Sequence, residues 1–198
     1  MKFFHKPNQA ESDRVPPGQH LAKGFPVLTY GETPQVNIEE WEFRVWGLAK
    51  PVTFKMSDFL ALPQHEFTAD FHCVTSWSKL DVKWNGIKVT DFMSLLAIDP
   101  KAAHVMEHCY GGYTTNIDLQ DFVREENFFA VKLFGEPLPP EHGGPMRLVV
   151  PHLYAWKSAK WINGLEFLEE EELGFWERNG YHRRGEPWAN ERYSNLGF

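Results

Sequence analysis

The sequence has only two cysteines and no long apolar run, and each shortage excludes a class of protein. Cys73 and Cys109 cannot form the disulfide network of a small secreted domain, so a reducing cytoplasm is the simplest compartment. No run of about 18 apolar residues occurs, so no membrane span is expected. The amino-terminal sequence, MKFFHKPNQAESDRVPPGQ, lacks the apolar stretch of a signal peptide and any twin arginine, so no export signal is predicted.

Positive charge is also scarce. Lysine and arginine number 20 against 27 aspartates and glutamates, which gives a formal net charge of −7 and argues against nucleic acid as a partner. Aromatic residues are abundant, with 16 Phe, 8 Trp and 6 Tyr. Such rings suit β-rich packing around a bulky ligand, although a well-packed core alone would also explain them.

The hydrophobic pattern predicts a single α+β domain that is rich in strands. We expect an irregular arm over residues 1–20 and the domain over 21–198. Turns are predicted at Asn85-Gly86, as a hairpin between β-formers, and at Asn163-Gly164. Strands are predicted at 41–47, 71–74, 104–110, 128–135, 146–151 and 160–168, and short helices at 57–63, 90–97, 118–125 and 169–180.

The two cysteines each follow a histidine, which raises the possibility of a zinc site. Adjacent residues of a strand point to opposite faces, so His72 and Cys73 cannot easily bind one tetrahedral ion, nor can His108 and Cys109. The short ligand spacing of structural zinc sites is also missing. A buried, unreactive thiol is the simpler interpretation for Cys109.

The segment PPEHGGPMRLVVPHLYAWKSAKW, residues 139–161, has the composition of an anion-binding site. Its glycines allow close approach of the backbone to a ligand. Arg147, Lys157 and Lys160, with the Ser158 hydroxyl, would bind a phosphate if they converge. The alternative is that these charges lie on a solvated face.

Two long blocks resemble a known family. HCVTSWSKLDVKWNGIKVTDFM and FFAVKLFGEPLPPEHGGPMRLVVPHLYAWKSAKW are similar to the molybdopterin-binding domain of sulfite oxidase-like enzymes, and GFWERNGYHRRGEPWANERY resembles the tail of bacterial members. The resemblance runs from about Gly24 to Tyr193 and implies the sulfite oxidase molybdopterin-binding fold. It also implies that Cys73 is the metal ligand and a catalytic residue, completing a molybdenum site with the two dithiolene sulfurs of one molybdopterin.

The resemblance further implies which residues bind the cofactor. Phe25–Thr29 corresponds to an amino-terminal strand that contacts the pterin, and the basic segment supplies the phosphate end. Tyr110 and Tyr113 would donate hydrogen bonds to an oxo group or to the substrate, unless they are core tyrosines. The implied cofactor-binding residues are Phe25, Leu28, Thr29, Cys73, His108, His142, Arg147, Lys157, Ser158, Ala159 and Lys160.

One departure from the family pattern narrows the expected reaction. Sulfite oxidases follow the ligand cysteine with arginines, whereas Val74–Ser78 contains none and Trp77 would form an apolar wall. This is more similar to the catalytic subunit of bacterial protein-methionine-sulfoxide reductase. We expect reduction of an S- or N-oxide, a small-molecule or oxidised-sulfur substrate and a separate electron donor or acceptor. Sulfite-type oxidation and a non-catalytic molybdopterin-binding module are the alternatives.

Overall fold

A computed structural model describes residues 4–5 and 9–194. Twelve strands lie in this part of the chain: β1 (Phe4–His5), β2 (His20–Ala22), β3 (Glu42–Gly47), β4 (Val52–Lys55), β5 (His65–Cys73), β6 (Trp77–Lys88), β7 (His104–Cys109), β8 (Thr114–Asp118), β9 (Phe128–Leu133), β10 (Glu136–Pro137), β11 (Arg147–Val149) and β12 (Ile162–Leu168). Five short α-helices accompany them: α1 (Gln9–Ser12), α2 (Met56–Leu60), α3 (Val89–Met93), α4 (Leu119–Phe122) and α5 (Phe175–Arg178). Single 3₁₀ turns span Tyr110–Gly112, Pro140–His142 and Ala155–Lys157.

The strands form two mixed sheets. In the first, the order is β1-β2-β6-β9-β10, with β5 paired to β6 and β11 paired to β9. The second has the order β4-β3-β12-β7-β8. Pairing is antiparallel except between β2 and β6 and between β3 and β12. The described chain is therefore a strand-rich α+β structure, as the sequence predicts.

Two aromatic clusters hold the sheets in place. Phe43, Phe59 and Phe92 pack with centroid distances of 4.8–5.5 Å in the main core, between the second sheet and helices α2 and α3. A second cluster, which includes Trp77 and Trp84, lies along β5 and β6. Burial of such large rings removes much apolar area from water, and the second cluster forms one side of the pocket described below.

The predicted turns at Asn85-Gly86 and Asn163-Gly164 are wrong. Strand β6 runs through the first and β12 through the second, and each has a register shift at that point. A Cβ atom on Gly86 would lie 1.9 Å from the Phe129 carbonyl oxygen. One on Gly164 would lie 2.7 Å from the Trp46 ring. Both glycines thus mark bulges where a neighbour approaches closely.

The hairpin turn lies instead between β5 and β6, at residues 74–76. Ser76 there has a φ of 71°, a left-handed conformation that a three-residue hairpin loop commonly needs and that side chains other than glycine rarely adopt. The sequence carried no signal for this turn because the position is not a glycine. As a result, Cys73 stands at the last residue of β5, directly before a tight turn.

The segment predicted to be irregular contains regular elements. Helix α1 lies within it, and β2, which begins at His20, pairs in parallel with β6. Residues 1–3 and 6–8 of the predicted arm, and residues 195–198 of the predicted domain, lie outside the described residues. Residues 25–29 form no strand, contrary to prediction. Within the described chain, no helix has the length and apolar character needed to cross a membrane.

Candidate functional site

A cavity of about 400 Å³ opens beside the turn that follows Cys73. Its walls come from five places: residues 25–30, the end of β5 with the following turn, residues 111–113, residues 142–161, and helix α5 with the chain after it. Volumes of roughly 300–1,000 Å³ are typical of small-molecule and cofactor sites. The cavity contains Cys73 and several of the positive groups that the sequence singled out.

Cys73 is held in place through its backbone and contacts one hydroxyl. Its carbonyl oxygen accepts hydrogen bonds from the Gln19 side chain and from the Ser76 amide, both at 3.0 Å. Its Sγ lies 3.2 Å from Thr75 Oγ1. Burial raises the pKa of the thiol, although Thr75 and the charges of Arg192 and Lys160 act in the opposite direction. Both cysteines are free thiols, and only Cys73 lines this cavity.

Arg147 also lines the cavity, and its charge is buried. Its guanidinium donates to the carbonyl oxygens of Ser158 and His142 at 2.8 and 2.9 Å, and lies 5.1 Å from the Phe71 ring centroid. It forms no ion pair with a carboxylate in the described part of the chain. Burial lowers the pKa of Arg147 to about 9, although the charges of Cys109 and Glu107 act in the opposite direction.

Lys160 and His142 add two more groups with disfavoured charge. Lys160 Nζ donates to the carbonyl oxygens of Leu28 and Glu141 at 3.0 and 2.7 Å. Burial, followed by repulsion from Arg147, lowers the pKa of Lys160 from 10.5 to about 7. Burial also lowers the pKa of His142, which stacks on Phe25 with 4.8 Å between centroids.

The segment between Trp156 and Lys160 forms the floor of the cavity. Ser158 Oγ accepts a hydrogen bond from the Val150 amide at 2.9 Å, and the Ala159 amide donates to Glu107 Oε2 at 3.3 Å. The Ser158 hydroxyl oxygen therefore accepts from the backbone, and its hydrogen can still donate to a ligand. Ser158 and Ala159 both line the cavity, and their role in binding a cofactor stays a prediction.

Lys157 does not reach the cavity, contrary to the sequence prediction. Its fully buried Nζ donates to Glu177 Oε1 at 2.7 Å and to the Asn116 carbonyl oxygen at 2.6 Å. Glu177 Oε1 also accepts from the Trp156 indole nitrogen at 2.9 Å. Lys157 therefore stabilises the structure behind the floor and is not part of the proposed site.

His108 and Tyr110 also lie away from Cys73. Alternation along β7 turns His108 to the sheet face opposite Cys109, where it packs 4.6 Å from the Trp46 ring and 3.1 Å from Glu166. The Tyr110 hydroxyl accepts a hydrogen bond from the Glu42 amide at 3.3 Å. Both residues line a separate surface groove, so neither belongs to the proposed site.

Tyr113 does line the cavity, but its hydroxyl is engaged. It donates to the Trp156 carbonyl oxygen at 2.7 Å, and burial raises its pKa well above the ordinary value. At neutral pH the phenol is therefore protonated and holds the cavity floor. The sequence had offered it as a donor to an oxo group or substrate, and that role stays a prediction.

Aromatic side chains that the sequence analysis did not assign to a site form much of the remaining wall. Trp176 stacks on Tyr181 at 4.9 Å, and Tyr181 meets Trp156 edge to face at 5.0 Å. The abundance of aromatic residues, together with their clustering in GFWERNGY, was the available signal. The aromatic residues of the lining that were missed are Tyr30, Phe71, Trp156, Trp161, Phe175, Trp176 and Tyr181.

The donor set argues against the zinc alternative. The described residues contain no group of three or more His, Cys, Asp or Glu side chains able to hold a metal ion. His72 is hydrogen-bonded to Ser78 Oγ at 2.8 Å, and burial lowers its pKa to about 4. A single thiol in a cavity suits a metal whose other ligands arrive with a cofactor.

Several known proteins have sequences similar to that of this chain. Residues 30–176 match the oxidoreductase molybdopterin binding domain. The chain is 45% identical to the uncharacterized oxidoreductase YuiH of Bacillus subtilis (strain 168) over 97% of this chain and 98% of that protein. It is 28% identical to the putative protein-methionine-sulfoxide reductase subunit YedZ1 of Azospira oryzae over 91% of this chain and 69% of the relative.

A solved structure shows the same fold. The sulfane dehydrogenase SoxCD from Paracoccus pantotrophus superposes with a TM-score of 0.67 and 16% identity, covering 89% of this chain and 55% of that one. The predicted fold class and the family resemblance are thus confirmed. The chain belongs to the sulfite oxidase-like family of molybdopterin-binding oxidoreductases.

Proposed function

We propose that this chain is a mononuclear molybdenum enzyme that binds molybdopterin in the cavity beside Cys73 and reduces an S- or N-oxide. One observation carries the proposal: a single thiol, three positive or protonatable groups and an aromatic wall line the same cavity. That combination matches a cofactor with a metal end, a phosphate end and a flat ring system.

The positive and protonatable side chains that line the cavity fit an anionic group. Arg147, Lys160 and His142 all have lowered pKa values because burial disfavours their charged forms. A phosphate beside them would reverse this shift, since an opposite charge favours protonation. Arg147 uses three of its five N–H donors on carbonyl oxygens, so two stay available to a phosphate oxygen.

The Cys73 thiol fits a metal that accepts thiolate ligands. Binding requires the Cys73 thiolate, so a thiol whose pKa is raised by burial will release its proton when the metal binds. The Thr75 hydroxyl is placed to donate to the sulfur at 3.2 Å. When bound, the cofactor supplies two-electron and oxygen-atom transfer at molybdenum.

The residues of this chain would position the cofactor and exclude water. Phe25, stacked on His142, offers an apolar surface beside the phosphate end. Trp156 is fixed from behind by Glu177, and its carbonyl oxygen is held by Tyr113. The rigid floor that results keeps the reacting centre in a low-dielectric environment, where charge interactions are stronger than in water.

The composition of the wall near Cys73 supports an uncharged substrate. Val74, Trp156, Trp176 and Tyr181 are apolar or weakly polar, and burying a doubly charged oxyanion against them would cost solvation without compensation. In the proposed reaction, an R₂SO substrate accepts two electrons and two protons and leaves as R₂S and water. The electrons come from a separate donor.

Positive charge does reach Cys73, but from distant parts of the chain. Arg192 and Lys160 both act on its pKa. Arg192 directs its donors to the Val74 and Pro17 carbonyl oxygens and to the side chains of Ser76 and Asn190, and it does not line the cavity. Lys160 does line it, and this observation favours sulfite-type oxidation as the second candidate. Lys160 already donates to two carbonyl oxygens, which leaves one of its three N–H donors for an oxyanion.

Assays in both directions on molybdenum-loaded protein separate these candidates. Dimethyl sulfoxide and trimethylamine N-oxide are supplied with reduced viologen, and sulfite is supplied with ferricyanide. We expect turnover of at least one oxide and a lower kcat/KM for sulfite. Cys73→Ser prepared in the same host is the matched control and should show neither activity. A higher kcat/KM for sulfite than for every oxide would contradict the proposed direction, and loaded protein inactive with all of them would favour the non-catalytic module.

A further inference from the structure

The turn that follows Cys73, residues 74–76, has a backbone conformation that its sequence does not favour. Ser76 has a φ of 71°, in the left-handed region that glycine adopts readily and other residues rarely do. The Ser76 amide donates to the Cys73 carbonyl oxygen at 3.0 Å and closes the turn. Outside contacts must therefore help to hold this conformation.

Arg192, from the opposite end of the chain, supplies such contacts. Its Nη1 donates to the Val74 carbonyl oxygen and, at 3.2 Å, to Ser76 Oγ. Its guanidinium lies 5.2 Å from the Tyr154 ring centroid. These charge-assisted hydrogen bonds and the cation–π contact fix the orientation of the fork.

The same guanidinium joins the turn to the amino-terminal segment. Arg192 Nη2 donates to the Pro17 carbonyl oxygen at 3.3 Å. Two residues further along, Gln19 Nε2 donates to the Cys73 carbonyl oxygen, and the His20 amide donates to that of Ser76 at 2.9 Å. Residues near both ends of the described chain thus contact the backbone of one hairpin turn. Cys73 is the residue directly before that turn.

We propose that Arg192 is a positioning residue that holds the turn at 74–76 and thereby aims the Cys73 sulfur into the cavity. The inference rests on the proposed function for its catalytic consequence, but not for the conformation of the turn. Arg192 donates to backbone oxygens and does not line the cavity, so it acts through Cys73 rather than on the substrate. Residues that orient metal ligands typically change metal affinity or activity 10–100-fold when mutated.

Arg184 provides a matched control in the same carboxy-terminal segment. It donates through Nε to Asp121 Oδ2 at 2.8 Å and, among the described residues, makes no hydrogen bond to the turn. Replacing it removes an arginine that anchors the segment while leaving the contacts of Arg192 in place. A general loosening of the segment would therefore appear in both variants, whereas an effect on the turn would appear only in Arg192→Met.

The first measurement is hydrogen exchange of the full chain, in cofactor-free and cofactor-containing forms. We expect the amides of residues 74–77 to exchange about tenfold faster or more in Arg192→Met, because local opening becomes easier, and to stay unchanged in Arg184→Met. Arg192→Lys should lie between wild type and Arg192→Met, because lysine can reach one oxygen but cannot bridge several. Circular dichroism confirms that each variant is folded.

The second measurement follows the metal site. After extensive dialysis, we expect Arg192→Met to bind molybdenum about 10–100-fold more weakly than wild type, or to have a kcat lower by the same factor. The absorption band that arises from the sulfur–metal bond should also change. KM for dimethyl sulfoxide should change less than kcat. Adding Ser76→Gly to Arg192→Met should recover part of the loss, since glycine tolerates the left-handed conformation.

The two measurements distinguish a failure of the proposed function from a failure of the positioning role of Arg192. Wild-type protein that binds no molybdenum contradicts the proposed function, and the exchange data then judge Arg192 alone. Unchanged exchange at 74–77 in Arg192→Met overturns the positioning role. The positioning role is also overturned if molybdenum-loaded Arg192→Met has the wild-type absorption band and kcat. The same holds if its losses only equal those of Arg184→Met.

Discussion

Replacing Arg147 with methionine should have different effects in the cofactor-free and cofactor-bound chains. Without an anion, the guanidinium is a buried charge whose pKa burial lowers from its ordinary value to about 9. At about 1.4 kcal/mol per unit, that shift corresponds to a penalty on the order of 5 kcal/mol at neutral pH. Methionine removes this penalty but also removes three hydrogen bonds to carbonyl oxygens, at roughly 1.5–3 kcal/mol each. The two effects largely offset each other.

The effect of Arg147→Met on the cofactor-bound form, minus its effect on the cofactor-free form, measures the contact between Arg147 and the cofactor. Packing and carbonyl contacts change equally in both forms, so they cancel in the increase of Tm that the cofactor produces. A lost charged hydrogen bond to phosphate removes about 1.5–3 kcal/mol of binding. At about 2–4 °C per kcal/mol for a chain of this size, the increase of Tm should shrink by about 3–12 °C.

Calorimetry of wild type, Arg147→Met and Arg44→Met, each with and without cofactor, gives the test. Arg44 is an exposed arginine paired with Glu42, and its replacement should leave the cofactor-induced increase of Tm unchanged. Pterin fluorescence after dialysis should show weaker retention only in Arg147→Met. An increase of Tm equal to that of wild type, with full retention, would refute the phosphate role and leave Arg147 as a packing residue.

Three further changes test other parts of the structure. In the cofactor-free chain, stability should rise between about pH 7 and 10.5, because the unfolded Lys160 still holds a proton that the folded one has lost. Lys160→Met should remove the part of that rise between about pH 7 and 9, measured as pH-dependent Tm, and a rise equal to that of wild type would contradict the assignment. Glu177→Ala should lower Tm by about 6–20 °C, because breaking the buried ion pair leaves the Lys157 charge uncompensated at a cost of about 3–5 kcal/mol. An unchanged Tm would show that the pair is dispensable. Gly86→Ala should lower the yield of folded protein and its Tm, since a Cβ would lie 1.9 Å from the Phe129 carbonyl oxygen, and wild-type stability would show that the bulge can relax.

The sequence predicted the strands well where alternation or apolar runs were clear. The pattern at 41–47 became β3, and the run at 128–135 became β9. Asn-Gly pairs failed as turn signals because both glycines serve close packing inside continuous strands. The actual turn before β6 contains no glycine, so its position depended on contacts from residues remote in the chain.

The candidate site was predictable in outline. Cys73, Arg147 and the Ser158–Lys160 stretch came together as expected from the family resemblance. Lys157 was misassigned, because local spacing does not reveal that its amine points to a buried glutamate 20 residues later in the chain. Arg192 escaped notice for a similar reason: its partners lie more than 100 residues away, and only the folded chain brings them together.

X-ray absorption at the molybdenum edge tests the central claim most directly. The account predicts that wild-type protein binds molybdenum through the two dithiolene sulfurs and Cys73, so Cys73→Ser should lose one sulfur neighbour or all of the metal. Cys109 is buried outside the cavity, and Cys109→Ser should keep the wild-type sulfur count. An identical sulfur count in wild type and Cys73→Ser, or a loss in Cys109→Ser equal to that in Cys73→Ser, would contradict the account.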